Sequence, residues 1–528
     1  MPSKKDLKIE ESMHWADQTA RKIIVQKGNK KQYVCAAGIT PSGIVHIGNF
    51  REIITVELVA RAFKSLNKKV KFLYSWDDYD VFRKVPKGWP KEEELKKQLR
   101  RPIVDVFDPF EKEKSFAAYN ESLVETDLLK LGIKPEYKYQ AQMYRKCSYK
   151  QGMKKALQKV DIIKKILNEF RSEPLPDDWL PLGIFDPDTK TDEVSDIKYL
   201  GGYKVSYKDK YGHEKQFDFS KDGRSKLLWR VDWPMRWEYE KVDFEPGGKD
   251  HSTYGGSFTT AKEIAKQVYN FNSPLYIMYD FIRIKGTGGK ISSSKGDVIT
   301  LCDILGVYEP EIVRYLFAGT RPKTEFAISF DLDVIKIYED FDRTERIYYN
   351  AEDNVSLKEK IKQKRIYELS CIGKPQSKMP FQPSFRHLCN IVQICENDFE
   401  KIKKYYKIKS GFSLQKLKKR ADCVNCWLKN YAPQQMKFKI VDFIDIKQFN
   451  KIERQLLASL REVLKEKDYD ENQLFERFYE IIKKNDSSPK QFFTICYKAL
   501  INNKIGPKLA PFLLQIGKDR IIDLLKNV

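Results

Sequence analysis

The sequence predicts an α/β protein in which a Rossmann-type parallel sheet carries an inserted α+β connective domain and precedes an all-α C-terminal domain. Three observations support this fold class. An apolar run at residues 32–40 ends in a turn with Pro and Gly and leads into a helical pattern. A second apolar run, at 69–80, ends in acidic residues. From about residue 335 onward strand patterns nearly vanish, and apolar residues recur every three or four positions.

These patterns also divide the chain into four segments. The two apolar runs and the helix between them are typical of a βαβ unit, so the first half of the parallel-sheet domain spans residues 1–83. Residues 84–228 break into helical pieces, a Pro-rich stretch and a small β segment, which predicts the inserted domain. The sheet resumes at 274–284, so its second half spans 229–334. The helical domain takes 335–528.

The composition is that of a soluble globular protein, with 41% hydrophobic and 32% charged residues among 528. Its apolar runs are shorter than the roughly 18 residues that a membrane span needs. The nine Cys lack dense spacing, which predicts reduced thiols. The N-terminal stretch is charged throughout and has no apolar core, so no secretory signal is expected. We therefore expect a cytoplasmic protein with no membrane partner.

The net charge of +23 favours a polyanionic partner. Residues 341–528 hold 38 Lys and Arg against 23 Asp and Glu, an excess of 15 positive charges. The first 340 residues hold 59 against 51, an excess of only 8. The basic excess is therefore concentrated in the predicted helical domain, where it suits nucleic acid. The alternative is a general lysine-rich bias of the proteome.

The first motif is the turn TPSGIVHIGNF at residues 40–50, which links the first predicted strand to its helix. Such a turn presents backbone N–H groups and the positive end of the helix dipole to an anion. Gly43 and Gly48 would let a nucleotide approach the backbone closely, and His46 could hydrogen-bond a phosphate. The alternative is a histidine that only caps the helix.

The second motif is KISSSKGD at residues 290–297, which follows the resumed sheet. Lys290 and Lys295 bracket three serines, on a loop whose preceding glycines allow it to move. This composition suits closure over a triphosphate whose charge shifts during reaction. Taken alone, the segment is also compatible with a solvated basic loop.

HIGN at 46–49 and KISSSKG at 290–296 resemble, in this order, the HIGH and KMSKS signatures of class I aminoacyl-tRNA synthetases. Further stretches resemble class I lysyl-tRNA synthetases over nearly all of the first 330 residues: SWDDYDVFRKVP, WRVDWPMRW, GGKDHSTYGGS and GGKISSSKGDVITL. This resemblance implies activation of lysine with ATP and Mg²⁺ and its transfer to the 3′ end of tRNA(Lys). It also implies an insertion that handles the acceptor end and a helical domain that binds the anticodon region.

The resemblance assigns the nucleotide site residue by residue. Gly48 would face the adenine, and Gly248 and Asp250 would lie near the ribose, as a carboxylate beside a glycine pair also suggests. The second Lys of KMSKS falls on Ser293 and another lysine follows two positions later, so two lysines are assigned to the pyrophosphate. The predicted catalytic residues are His46, Asn49, Lys290 and Lys295. The predicted ATP-binding residues are Pro41, Gly43, His46, Gly48, Asn49, Gly248, Asp250, Lys290, Ser292, Ser293 and Lys295.

A cationic substrate side chain needs acidic or aromatic walls, because a buried ammonium without partners is costly. The sequence offers such walls at Asp77, Asp78, Asp80, Trp229, Asp232, Trp233 and Trp237. The resemblance adds further positions, so that the predicted amino-acid-binding set is Gly38, Thr40, Trp229, Asp232, His251 and Tyr279. Core packing is the alternative for the tryptophans.

Metal sites and alternative functions complete the prediction. No Cys lies between Cys147 and Cys302, so the zinc ribbon common in the resembled family is not expected, and Cys423 with Cys426 is assigned to a helix core. A monomer is expected.

Glutamyl-type class I synthetases and a tRNA-binding paralogue without activity are the rival functions. A glutamyl-type enzyme is expected to carry an Arg in the AAGITPSG stretch, which this sequence lacks. A paralogue that only binds tRNA would need neither phosphate-binding loop.

Overall fold

The computed structural model describes residues 14–285 and 298–528. The described part of the chain forms two compact units. One comprises the described residues up to Ile304 together with Pro310–Ile328 and Asp353–Pro375. The other comprises Leu305–Glu309, Ser329–Glu352 and Gln376–Val528. None of the helices in the two described ranges is long and apolar enough to cross a membrane.

The strands are short and all end before residue 329. They are β1 (Gln32–Ile39), β2 (Lys69–Trp76), β3 (Glu136–Tyr139), β4 (Leu182–Ile184), β5 (Ser195–Gly201), β6 (Lys204–Lys208), β7 (Glu214–Asp218), β8 (Ser225–Leu227), β9 (Gly247–Gly248), β10 (Met278–Tyr279), β11 (Ile282–Ile284) and β12 (Phe326–Ile328).

Helices occur throughout the described chain. The first eleven are α1 (Trp15–Lys27), α2 (Ile47–Ser65), α3 (Glu92–Lys96), α4 (Phe116–Lys130), α5 (Gln140–Arg145), α6 (Lys150–Gln158), α7 (Val160–Asn168), α8 (Trp229–Glu240), α9 (Ser257–Gln267), α10 (Leu301–Val307) and α11 (Pro310–Ala318). The others are α12 (Asp333–Tyr348), α13 (Leu357–Ser370), α14 (Phe385–Ile394), α15 (Phe399–Tyr406), α16 (Phe412–Asn430), α17 (Lys451–Glu466), α18 (Glu471–Lys484), α19 (Pro489–Ile501), α20 (Leu509–Ile516) and α21 (Lys518–Leu524).

A parallel sheet organises the first unit. β1 pairs with β2 along its whole length, from Gln32 opposite Lys69 to Ile39 opposite Trp76, and β2 pairs with β3. On the other side of β1, parallel bridges join Cys35 to Phe244 and that residue to Leu275. The sheet thus includes segments before and after the predicted insertion, as the apolar runs predicted, and also β3, which lies within residues 84–228. The predicted fold class is confirmed, while the four domain boundaries stay predictions.

The insertion contains an antiparallel sheet, β5–β6–β7, and the pair β4–β8. The Lys215 ammonium joins them, because its Nζ lies 2.7 Å from Oδ2 of both Asp186 and Asp188 and 3.1 Å from Oδ2 of Asp209. A cation held by three carboxylates can cross-link loops as a bound metal would. No group of three or more His, Cys, Asp and Glu within residues 14–285 and 298–528 has the arrangement of a metal site.

The second unit is built from helices. Its sequence marks their starts clearly, since α17 and α18 begin with capping boxes formed by Asn450 with Glu453 and by Asp470 with Gln473. Each helix buries an apolar stripe of Leu, Ile or Phe at spacings of three and four. Of the two cysteines assigned to a helix core, both on α16, Cys423 is buried and Cys426 is partly exposed.

Candidate functional site

A cavity of about 410 Å³ opens at the carboxyl ends of β1 and β2. Parallel α/β sheets bind ligands at this edge because the loops that follow the strands converge there. Its walls come from the end of β1, the turn before α2, the segment after β2, the start of α8 and the segment around β9. The lining residues are Gly38, Ile39, Thr40, Ser42, Gly43, Ile44, Val45, His46, Asn49, Glu52, Ser75, Asp77, Asp80, Trp229, Trp233, Arg236, Glu245, Pro246, Gly247 and His251.

The turn before α2 gives the cavity an anion-binding end. His46 is the residue before the first turn of α2, and its backbone N–H donates to Asn49 Oδ1 at 3.3 Å. The imidazole of His46 folds back over Gly48, where a Cβ would lie only 2.8 Å from the ring. A side chain at position 48 would therefore displace the His46 ring. The N-terminus of a 19-residue helix thus faces the cavity beside an imidazole and an amide, an arrangement that favours phosphate.

Glu52 lies one turn further along α2 and gives the cavity a carboxylate. Its Oε1 accepts from the Gly38 backbone N–H at 3.0 Å, and its Oε2 accepts from the Tyr279 hydroxyl at 2.7 Å. Gly38 is itself obligatory, because a Cβ there would lie 2.8 Å from Ser75 Cβ on the neighbouring strand. The loss of hydration deep in the cavity raises the pKa of Glu52 to about 8, despite these two hydrogen bonds.

Two further acidic groups in the wall are already paired with cations. Arg236 donates to Asp77 Oδ1 at 2.7 Å and forms an ion pair with Asp232, Nε to Oδ2, at 3.2 Å. Asp80 binds the Lys226 ammonium and accepts from the Thr40 hydroxyl at 2.7 Å. Burial alone would raise the pKa of Asp80, but the nearby ammonium and hydroxyl lower it overall. Arg236 is neutralised by Asp77 and Asp232 and is therefore not available to bind an anionic substrate group.

Aromatic rings form a further wall of the cavity. The rings of Trp229 and Trp233 are stacked with centroids 5.0 Å apart, and the His251 ring lies 6.5 Å and 6.1 Å from them. Burial lowers the pKa of His251, which keeps its ring neutral at pH 7. Behind them Trp237 donates to Glu245 Oε2 at 2.6 Å. Burial raises the pKa of Glu245 to about 6. Flat rings beside carboxyl groups suit a long aliphatic chain that ends in a cation.

The structure brings many of the predicted site residues together. Those that line the cavity are Gly38, Thr40, Gly43, His46, Asn49, Trp229 and His251. Gly248 follows the cavity residue Gly247, Asp250 is exposed beside His251, and Pro41 is buried in the turn. Asp232 is 1% exposed and bound by Tyr144 and Arg236, inside the protein. Lys290, Ser292, Ser293 and Lys295 lie outside the described residues.

Sequence reasoning missed Glu52, Arg236 and Glu245. Glu52 had a usable signal, because it lies three residues after Asn49 and therefore on the same face of α2. Arg236 had one as well, four residues after Asp232 on a helix that otherwise presents aromatic rings. The sequence around Glu245 contains no such signal, since it is one acidic residue in a loop. Its place in the site is seen only from its hydrogen bond with Trp237.

Comparison with known proteins identifies the family. The family model described as tRNA synthetases class I (K) matches residues 13–373. The lysine–tRNA ligase of Borrelia garinii subsp. bavariensis is 48% identical over 86% of this chain and 88% of its own length. That of Treponema pallidum is 42% identical over 87% of this chain and 89% of its own. That of Thermococcus kodakarensis is 38% identical over 97% and 99%, respectively.

Proposed function

The chain belongs to the class I (K) tRNA synthetases, and we propose on this premise that it is the ATP-dependent ligase that attaches lysine to tRNA(Lys). Lysine would first react with ATP to give lysyl-adenylate and pyrophosphate. The lysyl group would then pass to the 3′ end of the tRNA. The relatives that carry the name lysine–tRNA ligase support this assignment through identities of 38–48% over most of both chains.

The observation that carries the choice of lysine is the carboxyl group of Glu52. It faces the cavity, and its hydrogen-bond partners within residues 14–285 and 298–528 are two neutral groups, the Gly38 amide and the Tyr279 hydroxyl. A substrate ammonium would supply the missing positive charge. A glutamate side chain would find no cation here to pair with, because the cavity's arginine is already bound to Asp77 and Asp232. The charge balance therefore favours a cationic amino acid.

The chemistry needs positioning and charge stabilisation rather than an enzyme nucleophile. The lysine carboxylate attacks the α-phosphorus of ATP, and pyrophosphate leaves. In our proposal the N-terminus of α2, with His46 and Asn49, holds the phosphates, and Lys290 and Lys295 neutralise the departing pyrophosphate. Mg²⁺ would enter as the ATP complex, since in such sites it is bound largely by substrate phosphates and water. Gly248 and Asp250 would hold the ribose.

The other partners follow from the same premise. We propose that the insertion handles the acceptor end of the tRNA and that the basic helical region, residues 335–528, binds the anticodon region, where the positive charge is concentrated. We propose a cytoplasmic monomer. Trp229, His251 and Thr40 would complete the amino-acid pocket.

A charging assay tests the proposed function. Purified protein is incubated with total tRNA, ATP and Mg²⁺ and with labelled lysine or labelled glutamate in parallel. We expect label from lysine only. Label from glutamate would overturn the pocket assignment, and tight tRNA binding without either label would favour a paralogue that only binds.

The two loop lysines should act on activation and not on tRNA binding. We expect Lys290→Ala and Lys295→Ala each to reduce lysine activation by about 100-fold, because each removes a preorganised charge from the transition state. The tRNA dissociation constant should change by less than about 3-fold. Pyrophosphate exchange with tRNA present measures the first quantity and filter binding the second. Lys262→Ala, on the exposed face of α9, is the control, and equal losses in both assays would contradict the role.

Lysine binding should release a proton from Glu52. Because the pKa of this carboxyl is raised to about 8, it is protonated in the empty site at pH 7, whereas the bound ammonium requires the carboxylate. Binding therefore prefers the deprotonated form, so affinity should rise up to about tenfold per pH unit from pH 6 and level off above 8. Lysine titrations across this range measure it. An inflection near 6 would point to Glu245 instead, and a flat profile would exclude both groups.

A further inference from the structure

A second cavity, of about 430 Å³, lies on the other side of the end of β2. The alternation of side chains separates the two, since Asp77 lines the main cavity and Asp78 lines this one. Its walls come from α4, β3 and α5, and it shares no lining residue with the main cavity. We call it the α4 cavity. Glu121 and Glu125 of α4 and Tyr139 of β3 contribute its polar surface.

The carboxyl groups of the α4 cavity are not all satisfied. Glu125 Oε1 accepts from Trp76 Nε1 at 2.9 Å and from the Tyr139 hydroxyl at 2.8 Å. Asp78 Oδ1 accepts from the Ala141 backbone N–H at 2.8 Å. Glu121 is only 7% exposed, and its buried Oε1 accepts no hydrogen bond from any residue that the structure describes. A buried oxygen of this kind is expensive unless a ligand or water supplies the donor.

The charges around Glu121 also favour a positive occupant. Four carboxyl groups line the cavity against two cations, Lys114 and Arg145. Arg145 already donates to Asp105 at 2.5 Å, and Lys114 is an exposed residue. Burial, followed by the charges of Asp78 and Glu125, raises the pKa of Glu121 to about 8. A cation that arrived here would be held by the carboxylate and would displace its proton.

We propose that the α4 cavity binds a small aliphatic diamine or polyamine, with one primary ammonium against Glu121. An ammonium donates three hydrogen bonds and tolerates irregular acceptor spacing, whereas a metal ion needs converging ligands. Across the described chain no three carboxyl, His or Cys groups converge in that way. The cavity volume accommodates a chain of several methylenes in addition to the ammonium.

Thermal unfolding with added 1,4-diaminobutane tests the site without ATP or tRNA. The protein used is Glu52→Gln, so that the main cavity lacks the carboxylate assigned to lysine, and dependence on Glu121 separates the α4 cavity from the other acidic groups of the main cavity. We expect a saturable rise in Tm of a few degrees, and none with 1,4-butanediol, which has the same length and no charge. Adding Glu121→Gln should abolish the rise. Adding Glu93→Gln, which removes an exposed charge from α3, should leave it unchanged.

A steric variant covers the case in which Glu121→Gln fails to fold. Ala118 lines the same cavity and is 8% exposed, so Ala118→Leu fills the space while it keeps the carboxyl group. It too should abolish the response to the diamine. The proposal is overturned if the Glu52→Gln protein shows no saturable shift, or if the shift persists with Glu121→Gln or Ala118→Leu. It is equally overturned if Mg²⁺ in place of the diamine produces the shift that depends on Glu121.

Discussion

Replacing Glu52 with glutamine should lower kcat/KM for lysine in the activation step by about 100-fold or more. This corresponds to about 3 kcal/mol, within the range for removing one partner of a desolvated charge pair. The amide has the same shape and keeps an acceptor for the Gly38 N–H, so the loss reports the charge. The KM for ATP should change by less than about 3-fold, because in the proposed site the carboxyl binds the lysine ammonium while the helix N-terminus binds the phosphates.

Pyrophosphate exchange with tRNA present, at varied lysine and ATP, measures both constants. Tyr279→Phe is the matched control, since it removes the hydrogen bond to Glu52 but leaves the charge, and it should cost only about tenfold. A loss with Glu52→Gln that fell equally on lysine and ATP would indicate a folding defect. An unchanged kcat/KM for lysine would mean that another acidic group, such as Glu245, receives the ammonium.

Replacing Arg236 with methionine should destabilise the first unit by about 3–5 kcal/mol, the usual cost of leaving buried charges without their partner. Arg236 is 8% exposed and binds Asp77 and Asp232, which are 6% and 1% exposed. Without the guanidinium, both carboxylates would face each other in the core or take up protons. The tryptophans of the same helix, α8, allow urea unfolding to be followed by fluorescence.

Arg230→Met is the control for this variant, because it is an exposed arginine on the same helix and should cost less than about 0.5 kcal/mol. Adding Asp77→Asn to Arg236→Met removes one of the two carboxylates left without a cation and should restore part of the free energy of unfolding. Equal effects of the Arg230 and Arg236 substitutions would show that the buried ion pairs contribute little.

The fold and one end of the cavity could be predicted from the sequence because their signals are local. A continuous apolar run, a turn with Pro and Gly and a helical pattern determine β1, the turn and α2 within 35 residues. Strand ends of a parallel sheet meet at one edge, so residues such as Gly38, Thr40 and His46 had to share a site. The helical region was equally predictable from its 3.6-residue period.

The roles of the individual acidic residues could not be predicted in this way. Asp77, Asp78, Asp80 and Asp232 all looked suitable for a cationic substrate, yet their surroundings differ. Asp77 and Asp80 are neutralised by Arg236 and Lys226, which are 159 and 146 positions away in sequence. Asp78 faces the α4 cavity, and Asp232 is enclosed. Glu52, which looked like one charge on a helix, faces the main cavity and accepts hydrogen bonds from two neutral groups, the Gly38 amide and the Tyr279 hydroxyl.

By itself, therefore, the sequence determined the sheet, the glycine turn, the helical region and the phosphate motifs, because each depends on neighbouring residues and on side-chain period. Only the tertiary structure decided which carboxyl groups are paired, which are desolvated and which cavity each one faces. Pairing and desolvation depend on distances between residues far apart in the chain, and hydrogen bonds and charges act over a few ångströms. Those distances arise only when β2, α2 and α8 pack together.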